Sequence, residues 1–454
     1  MNTATPSPRA DRVPGSSRVG RAAAWIALYL ALALAPLAML LAGPLPAGGG
    51  RRWDFALALG FGGLGVLGLQ FALTARFRRA TAPFGIDIIY YFHRYAALVG
   101  VALVGAHYAL LRLWFPETLG TANPLEAPGH LTAARVSLVL FFLLTVSSLA
   151  RKQLRLEYDT WRIAHAVMAV SAMVLAIGHV LAVGHYTAAA WRGSVWTVYS
   201  ALWILVAGYI RIVRPWSLLR QPYRVVSVAP ERGRSWTLTV APVRGAALAF
   251  RPGQFAWLSL GCSPFRAREH PFSFSGSAAD RTQLRFTIKE LGDFTRTLRD
   301  VAPGSVSYVD GPHGVFTPDC FPAAPGFVFL TGGVGLAPVM SMLRTLADRG
   351  DRRPLQLIHG SRAWDEVLFR EELSALQSRL ALGVVHVLQE PPPGWDGPVG
   401  VLSPDVIAPL IASRAATDVF FVCGPKPMTA SVQRTLRSQG VSLRRVQTEH
   451  FDMA

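Results

Sequence analysis

The chain has 454 residues, of which 51% are hydrophobic and only 16% charged, and its formal net charge is +18. This balance excludes a single ordinary soluble domain, and the length predicts about three domains. Three cysteines, Cys262, Cys320 and Cys423, form no CxxC pair, which excludes a disulfide scaffold and a thiolate zinc site and suits a reducing compartment.

Residues 1–21 are rich in Pro, Ser, Arg and Gly and predict a disordered cytoplasmic tail. Six apolar runs follow, near 22–42, 55–74, 86–114, 131–150, 158–184 and 195–213. Each can cross about 30 Å of hydrocarbon as a helix. The first can also be read as a secretory signal, but its small-residue cleavage site after Leu41 is poorly formed. Basic residues flank the runs on one side. Arg9, Arg12, Arg18 and Arg21 precede the first, and Arg76, Arg78 and Arg79 follow the second. Arg151, Lys152 and Arg155 follow the fourth, and Arg211, Arg214 and Arg220 follow the sixth. The alternate loops hold only Arg51, Arg52 and Arg192, with Glu117 and Glu126. The positive-inside rule then predicts a multi-pass protein of the plasma (inner) membrane, with the lipid bilayer as its partner and both termini cytoplasmic. This placement accounts for the positive charge. No aromatic and basic stripe points to nucleic acid, so no nucleic-acid partner is expected.

The third run carries His93 and His107, and the fifth carries His165 and His179. Both pairs are fourteen positions apart. In a helix that step returns to nearly the same face, about 40° short of four turns, and rises ~21 Å. The two runs cross in the same direction, so His93 can face His165 near the cytoplasmic side and His107 can face His179 near the outer side. Buried imidazoles in hydrocarbon are costly unless paired or ligated. Two neutral imidazoles from facing helices make a six-coordinate haem site suited to electron transfer. Two b-type haems are therefore expected, an inner one at His93/His165 and an outer one at His107/His179. Histidines bonded only to neighbouring backbone are the plainer alternative. The ~21 Å rise rules out a single ion shared by all four.

From Tyr223 short β-rich runs appear, YRVVSV, SWTLTV, FAWLSL and LRFTIKE, separated by Gly and Pro turns. They predict a small antiparallel barrel ending near Cys320. From Gly326 apolar β-runs (FVFLTGG, PLQLIHGS, VVHVLQE, DVFFVCG, VSLRRVQ) alternate with helical patterns (PVMSMLRTLADRG, DEVLFREELSALQ, MTASVQRTLRSQG). That alternation predicts a parallel sheet covered by helices. The fold class expected is a multidomain membrane protein: a six-helix transmembrane haem bundle over 22–214, an antiparallel β-barrel over 220–322 and an α/β nucleotide-binding domain over 326–454.

The run TGGVGLAP (331–338) follows an apolar strand and opens a helix, where glycines permit a tight turn and close approach of a pyrophosphate. HGSR (359–362) and VCGPKPM (422–428) fall at the ends of the second and fourth strands of that sheet, where ligands of open α/β sheets bind.

HPFSFSG at 270–276, preceded by RPGQF at 251–255, resembles the flavin motif of the ferric reductase and NADPH oxidase superfamily, within the broader ferredoxin reductase group. KELGDFT (289–295), the turn GPHG (311–314) and the terminal EHFDMA resemble its later segments. The resemblance covers roughly residues 80–454, with the motifs in the expected order. It implies FAD bound by His270, Pro271, Phe272, Ser273, Lys289, Gly292, Thr295 and a covering Phe451. It implies NADH or NADPH bound by Gly332, Gly333, Gly335, Ser361, Arg362, Cys423, Gly424 and Pro425. It also implies electron transfer from cytoplasmic nicotinamide through flavin and two haems to an extracytoplasmic small molecule, a ferric chelate or oxygen. Oxidases of the family carry an extra His one turn beyond the outer ligand, where this chain has Leu111. That departure favours the ferric chelate. A haem subunit serving a quinone or partner protein would need no fused flavin and nucleotide domains. Arg362 suits a 2′-phosphate and Glu390 suits ribose hydroxyls, so the nucleotide preference stays open, as does the oligomeric state.

Overall fold

A chain crossing hydrocarbon must satisfy its backbone internally, and each apolar run does so as a helix. The computed structural model describes residues 15–42, 50–77, 86–266 and 268–449. It divides into two units, Met1–Gly208 and Tyr209–Ala454. The first holds α1 (Gly15–Leu41), α2 (Gly50–Thr74), α3 (Ile86–Trp114), α4 (Gly129–Leu149), α5 (Tyr158–Val183) and α6 (Ala190–Gly208). Among the described residues six helices are long and apolar enough to cross a membrane. The predicted tail is shorter than expected. Residues 15–21 already belong to α1, and 1–14 lie outside the described residues, as do Arg78, Arg79 and Phe451.

α2 is the most enclosed of these helices. Its run GFGGLGVLG lets three neighbours approach closely. A Cβ on Gly63 would lie 2.7 Å from Val104 of α3, and one on Gly68 would lie 2.6 Å from the Trp203 indole of α6. α1 packs on the same helix through Ala33. α5 packs chiefly on α4. The bundle core gathers Phe61, Phe141, Met173 and Trp196.

The second unit opens with a π-helical turn at Tyr209–Val213 and the short α7 (Arg214–Leu219). An antiparallel sheet follows: β1 (Tyr223–Glu231), β2 (Ser235–Pro242), β3 (Phe255–Leu260), β4 (His270–Ser273), β5 (Leu284–Lys289) and β6 (Val306–His313). The strand order is β4-β3-β6-β1-β2-β5 around a core of Leu238, Val240, Leu258, Phe274 and Phe286. β6 was absent from the strand runs read in the sequence, where Gly311 and Pro312 interrupt the pattern. β4 contains Pro271, which lacks a backbone donor, and it sits at the sheet edge where that loss is tolerated. The one-turn α8 (Asp293–Arg296) follows β5.

The parallel sheet comprises β7 (Phe327–Gly332), β8 (Leu355–Ala363), β9 (Leu382–Glu390), β10 (Val419–Cys423) and β11 (Val446–Glu449), ordered β11-β10-β7-β8-β9. Its helices are α9 (Leu336–Asp348), α10 (Arg370–Gln377), α11 (Pro404–Ile411) and α12 (Lys426–Ser438). The last strand starts at Val446 because Leu443–Arg445 winds as a 3-10 turn. α10 starts only at Arg370, after Phe369 adopts a left-handed φ of 53°. α9 joins the two sheets: Arg344 donates to the Ser275 carbonyl and pairs with Glu372, and the Ala278 amide donates to Thr345 Oγ1 at 2.8 Å.

Candidate functional site

Helix periodicity places His93 and His107 on one face of α3, and His165 and His179 on one face of α5. The structure brings each histidine of α3 near one of α5. His93 lies within electrostatic reach of His165, and His179 within reach of His107. α3 packs on α2 and α5 on α4. Two imidazoles on different helices and within reach of each other could hold one macrocycle between them.

Three of the four imidazoles are braced at Nδ1. His107 Nδ1 lies 2.8 Å from the Ala56 carbonyl, and His179 Nδ1 lies 3.0 Å from the His130 carbonyl. The carbonyls can only accept, so each Nδ1 carries the proton and each Nε2 keeps its lone pair. Ser148 Oγ lies 3.4 Å from His165 Nδ1. α4 thus braces both α5 histidines, one from each of its ends. Gly60 makes the other brace feasible. Its missing Cβ would lie 3.1 Å from the His107 ring, one turn after the carbonyl that holds it. The donor set and its bracing therefore fit haem.

In the second unit β4 pairs with β3 on one side only, in the register Leu258 to His270 and Phe255 to Ser273. It is therefore an edge strand, the position alongside which an isoalloxazine could lie. The His270 ring stacks on Phe294 with centroids 3.9 Å apart, and Phe272 lies parallel to Phe294 at 6.0 Å. Thr295 is engaged locally. Its Oγ1 accepts from the Leu291 and Gly292 amides at 2.8 and 2.9 Å and donates to the Gly292 carbonyl. The hydroxyl thus shapes its own turn.

The carboxyl ends of β7, β8 and β10 converge on a cleft lined by Gly332, Gly333, Ser361, Arg362 and Pro425. These five come from the three motifs at the strand ends, which the structure brings to one cleft. Gly333 has φ 53° and open space beside its Cα. Gly335, Cys423 and Gly424 do not line the cleft. They shape it from behind: a Cβ on Gly335 would fall 2.3 Å from the Cys423 carbonyl, and one on Gly424 would fall 2.6 Å from Met428. Burial pushes the Cys423 thiol well up, so it is a neutral packing group. Lys289, implied to meet flavin, lines this cleft too, as do Gly233, Gln389 and Met428. These come from loops and strand ends far apart in the chain, and no local motif marks them.

Ser361 is oriented from beneath. His359 is fully buried, with Nδ1 2.8 Å from Thr331 Oγ1 and Nε2 3.0 Å from Ser361 Oγ. Burial, with the neighbouring His386 charge, pushes the His359 pKa down to about 3. The unfolded chain binds this proton below about pH 6.5, and the folded chain only near pH 3. Stability is thus fully present above pH 6.5 and lost as pH falls toward 3. His359→Gln should flatten this dependence, seen as a smaller drop in thermal unfolding midpoint between about pH 7 and about pH 5. A variant slope equal to that of the unmodified protein would show that other groups govern it.

A bundle with facing imidazole pairs, and a unit that joins an antiparallel sheet to a parallel sheet with a glycine-lined cleft, define a membrane oxidoreductase of composite design. Residues 59–177 match the family described as the ferric reductase like transmembrane component. Residues 329–434 match the oxidoreductase NAD-binding domain. The chain is 30% identical over 241 residues to ferredoxin–NADP reductase B of Sorangium cellulosum, covering 50% of this chain and 96% of that protein. It is 29% identical over 245 residues to the glycine betaine monooxygenase reductase subunit of Pseudomonas aeruginosa, covering 52% of this chain and 65% of that one. The propane 2-monooxygenase reductase component of Rhodococcus jostii is 27% identical, with 48% of this chain and 60% of that protein covered. The chain thus spans under two thirds of the length of these two monooxygenase reductases. It carries a ferric reductase-like transmembrane component followed by a ferredoxin reductase-type flavin and nicotinamide module.

Proposed function

We propose that this protein carries electrons from cytoplasmic NAD(P)H across the plasma membrane to an extracytoplasmic ferric chelate. The observation that carries this reading is the bracing of the histidine pairs. Backbone carbonyls hold Nδ1 of His107 and His179, which reserves Nε2 for a metal. When bound, FAD turns a hydride into single electrons, and two b-type haems, held by His93/His165 and His107/His179, conduct them through the apolar layer.

The chain's own residues do the rest. Gly332 and Gly333 let a pyrophosphate approach the start of α9, and Lys289 adds a cation on the same cleft. Ser361, held by His359, offers one hydroxyl in a fixed orientation. The edge strand β4 and the His270–Phe294 stack would hold the flavin end. The basic flanks of the spans support a cytoplasmic setting for both termini, the flavin module and the nucleotide module. Buried Leu111 stands one turn past His107, where the oxidases of the family have a further His, and this supports a ferric chelate over oxygen.

The decisive experiment is anaerobic addition of NADH or NADPH to purified protein, followed in the haem Soret and α bands. Reduction of both haems, then reoxidation by ferric citrate faster than by oxygen, is expected. No haem absorption, or no response to either nucleotide with flavin bound, would overturn the proposal.

Nucleotide choice turns on one ion pair. Arg362 Nε donates to Glu390 Oε1 at 3.1 Å across β8 and β9. Glu390→Gln frees the guanidinium for a 2′-phosphate. The ratio of kcat/KM for NADPH to that for NADH should rise about three- to tenfold. An unchanged ratio would place the 2′-position elsewhere.

A further inference from the structure

Outward of His107, at the ends of α2 and α3, lies a cavity lined by Arg51, Arg52, Leu113, Trp114 and Phe115. We propose that this cavity is the acceptor site, and that it takes the ferric ion as an anionic chelate with an apolar or aromatic face. The proposal rests on the electron-transfer reading above and names the chemistry of its final substrate.

The two arginines stand on the side of the membrane where the chain is otherwise poor in cations. Neither forms an ion pair among the described residues, and Arg52 lies over the Trp114 ring at 5.7 Å. Two unneutralised guanidiniums beside aromatic walls suit a carboxylate- or catecholate-bearing ligand. The aromatic wall is built in advance. Phe115 meets Trp53 edge-on at 5.1 Å, and Trp53 Nε1 donates to His185 Nε2 at 3.1 Å.

Helix geometry ties the cavity to the proposed outer ligand. Trp114 is seven residues beyond His107, so both lie on one face of α3, ~10 Å apart along the axis. Arg52 is one turn before Ala56, whose carbonyl holds the His107 ring, and two turns before Gly60, which cradles it. The two helices that fix the outer imidazole thus carry the basic cavity at their ends. The step transfers one electron to each ferric ion with no bond made or broken. One NAD(P)H therefore yields two ferrous chelates, one NAD(P)+ and one proton.

The test uses the full chain in nanodiscs of neutral phosphatidylcholine, with NADH or NADPH as donor. For the double variant Arg51→Gln, Arg52→Gln, the KM for ferric citrate should rise about tenfold with kcat retained. The KM for cationic hexaammineruthenium(III) should not rise. The double Lys variant should recover most of the citrate affinity, since charge persists. An unchanged citrate KM overturns the site, as does an equal rise for both acceptors. An effect seen only in bilayers containing phosphatidylglycerol also overturns it, because the arginines would then hold lipid phosphate. Haem reduction by nucleotide is read in the same samples. Its loss in the unmodified protein would fault the electron-transfer reading, while intact reduction with unchanged citrate kinetics would fault this site alone.

Discussion

His107→Ala should remove the outer haem and abolish reduction of extracytoplasmic acceptors while sparing the cytoplasmic chemistry. Loss of the bracing partners of a metal ligand alone costs about 10- to 100-fold in affinity, and loss of the ligand costs more. Haem content should fall from about two to about one per chain, and ferric citrate reduction by more than about 100-fold. NAD(P)H-driven reduction of a soluble dye should persist, since the nucleotide cleft and β4 belong to the other unit. Gly60→Val should imitate this variant in part. Its added carbons would press on a ring that would already be 3.1 Å from a bare Cβ and dislodge it from the Ala56 carbonyl. Full haem content in both variants would mean that the outer imidazole binds no metal.

Gly335→Val strikes the opposite end of the relay. The new Cβ would sit 2.3 Å from the Cys423 carbonyl, a rigid backbone atom at the end of β10. One of the two turns must move, and overpacking of this kind costs about 1–3 kcal/mol. Because Gly333 and Pro425 on the same two turns line the cleft, nucleotide binding should weaken with stability. The KM for NAD(P)H should rise about tenfold or more, with a lower thermal unfolding midpoint. Dithionite should still reduce the haems, since it bypasses the cleft. An unaltered KM would show that the two turns are not mechanically linked.

Much of this molecule is legible in its sequence because the governing physics is local and periodic. Six runs long enough for hydrocarbon, and the fourteen-residue spacing of His93–His107 and His165–His179, follow from helix rise and face. The strand and helix alternation after Gly326 follows from hydrophobic period. β6 was missed because Gly311 and Pro312 break that period. Phe451 and residues 1–14 fall outside the described structure.

What the sequence by itself determined is which residues are candidates for the chemistry: imidazoles at one spacing, a flavin-like strand and glycine-rich strand ends. What only the tertiary structure decided is how those groups are held. The carbonyls of Ala56 and His130 carry no sequence signal, because every residue has one, and only the packing of α2 and α4 selects these two. The chain likewise gave no hint that Thr295 serves its own turn, that Lys289 lines the nucleotide cleft, or that Gly335 yields to Cys423. Periodicity reports which face a side chain occupies, whereas its partner is set by the approach of distant backbones, which no local pattern encodes.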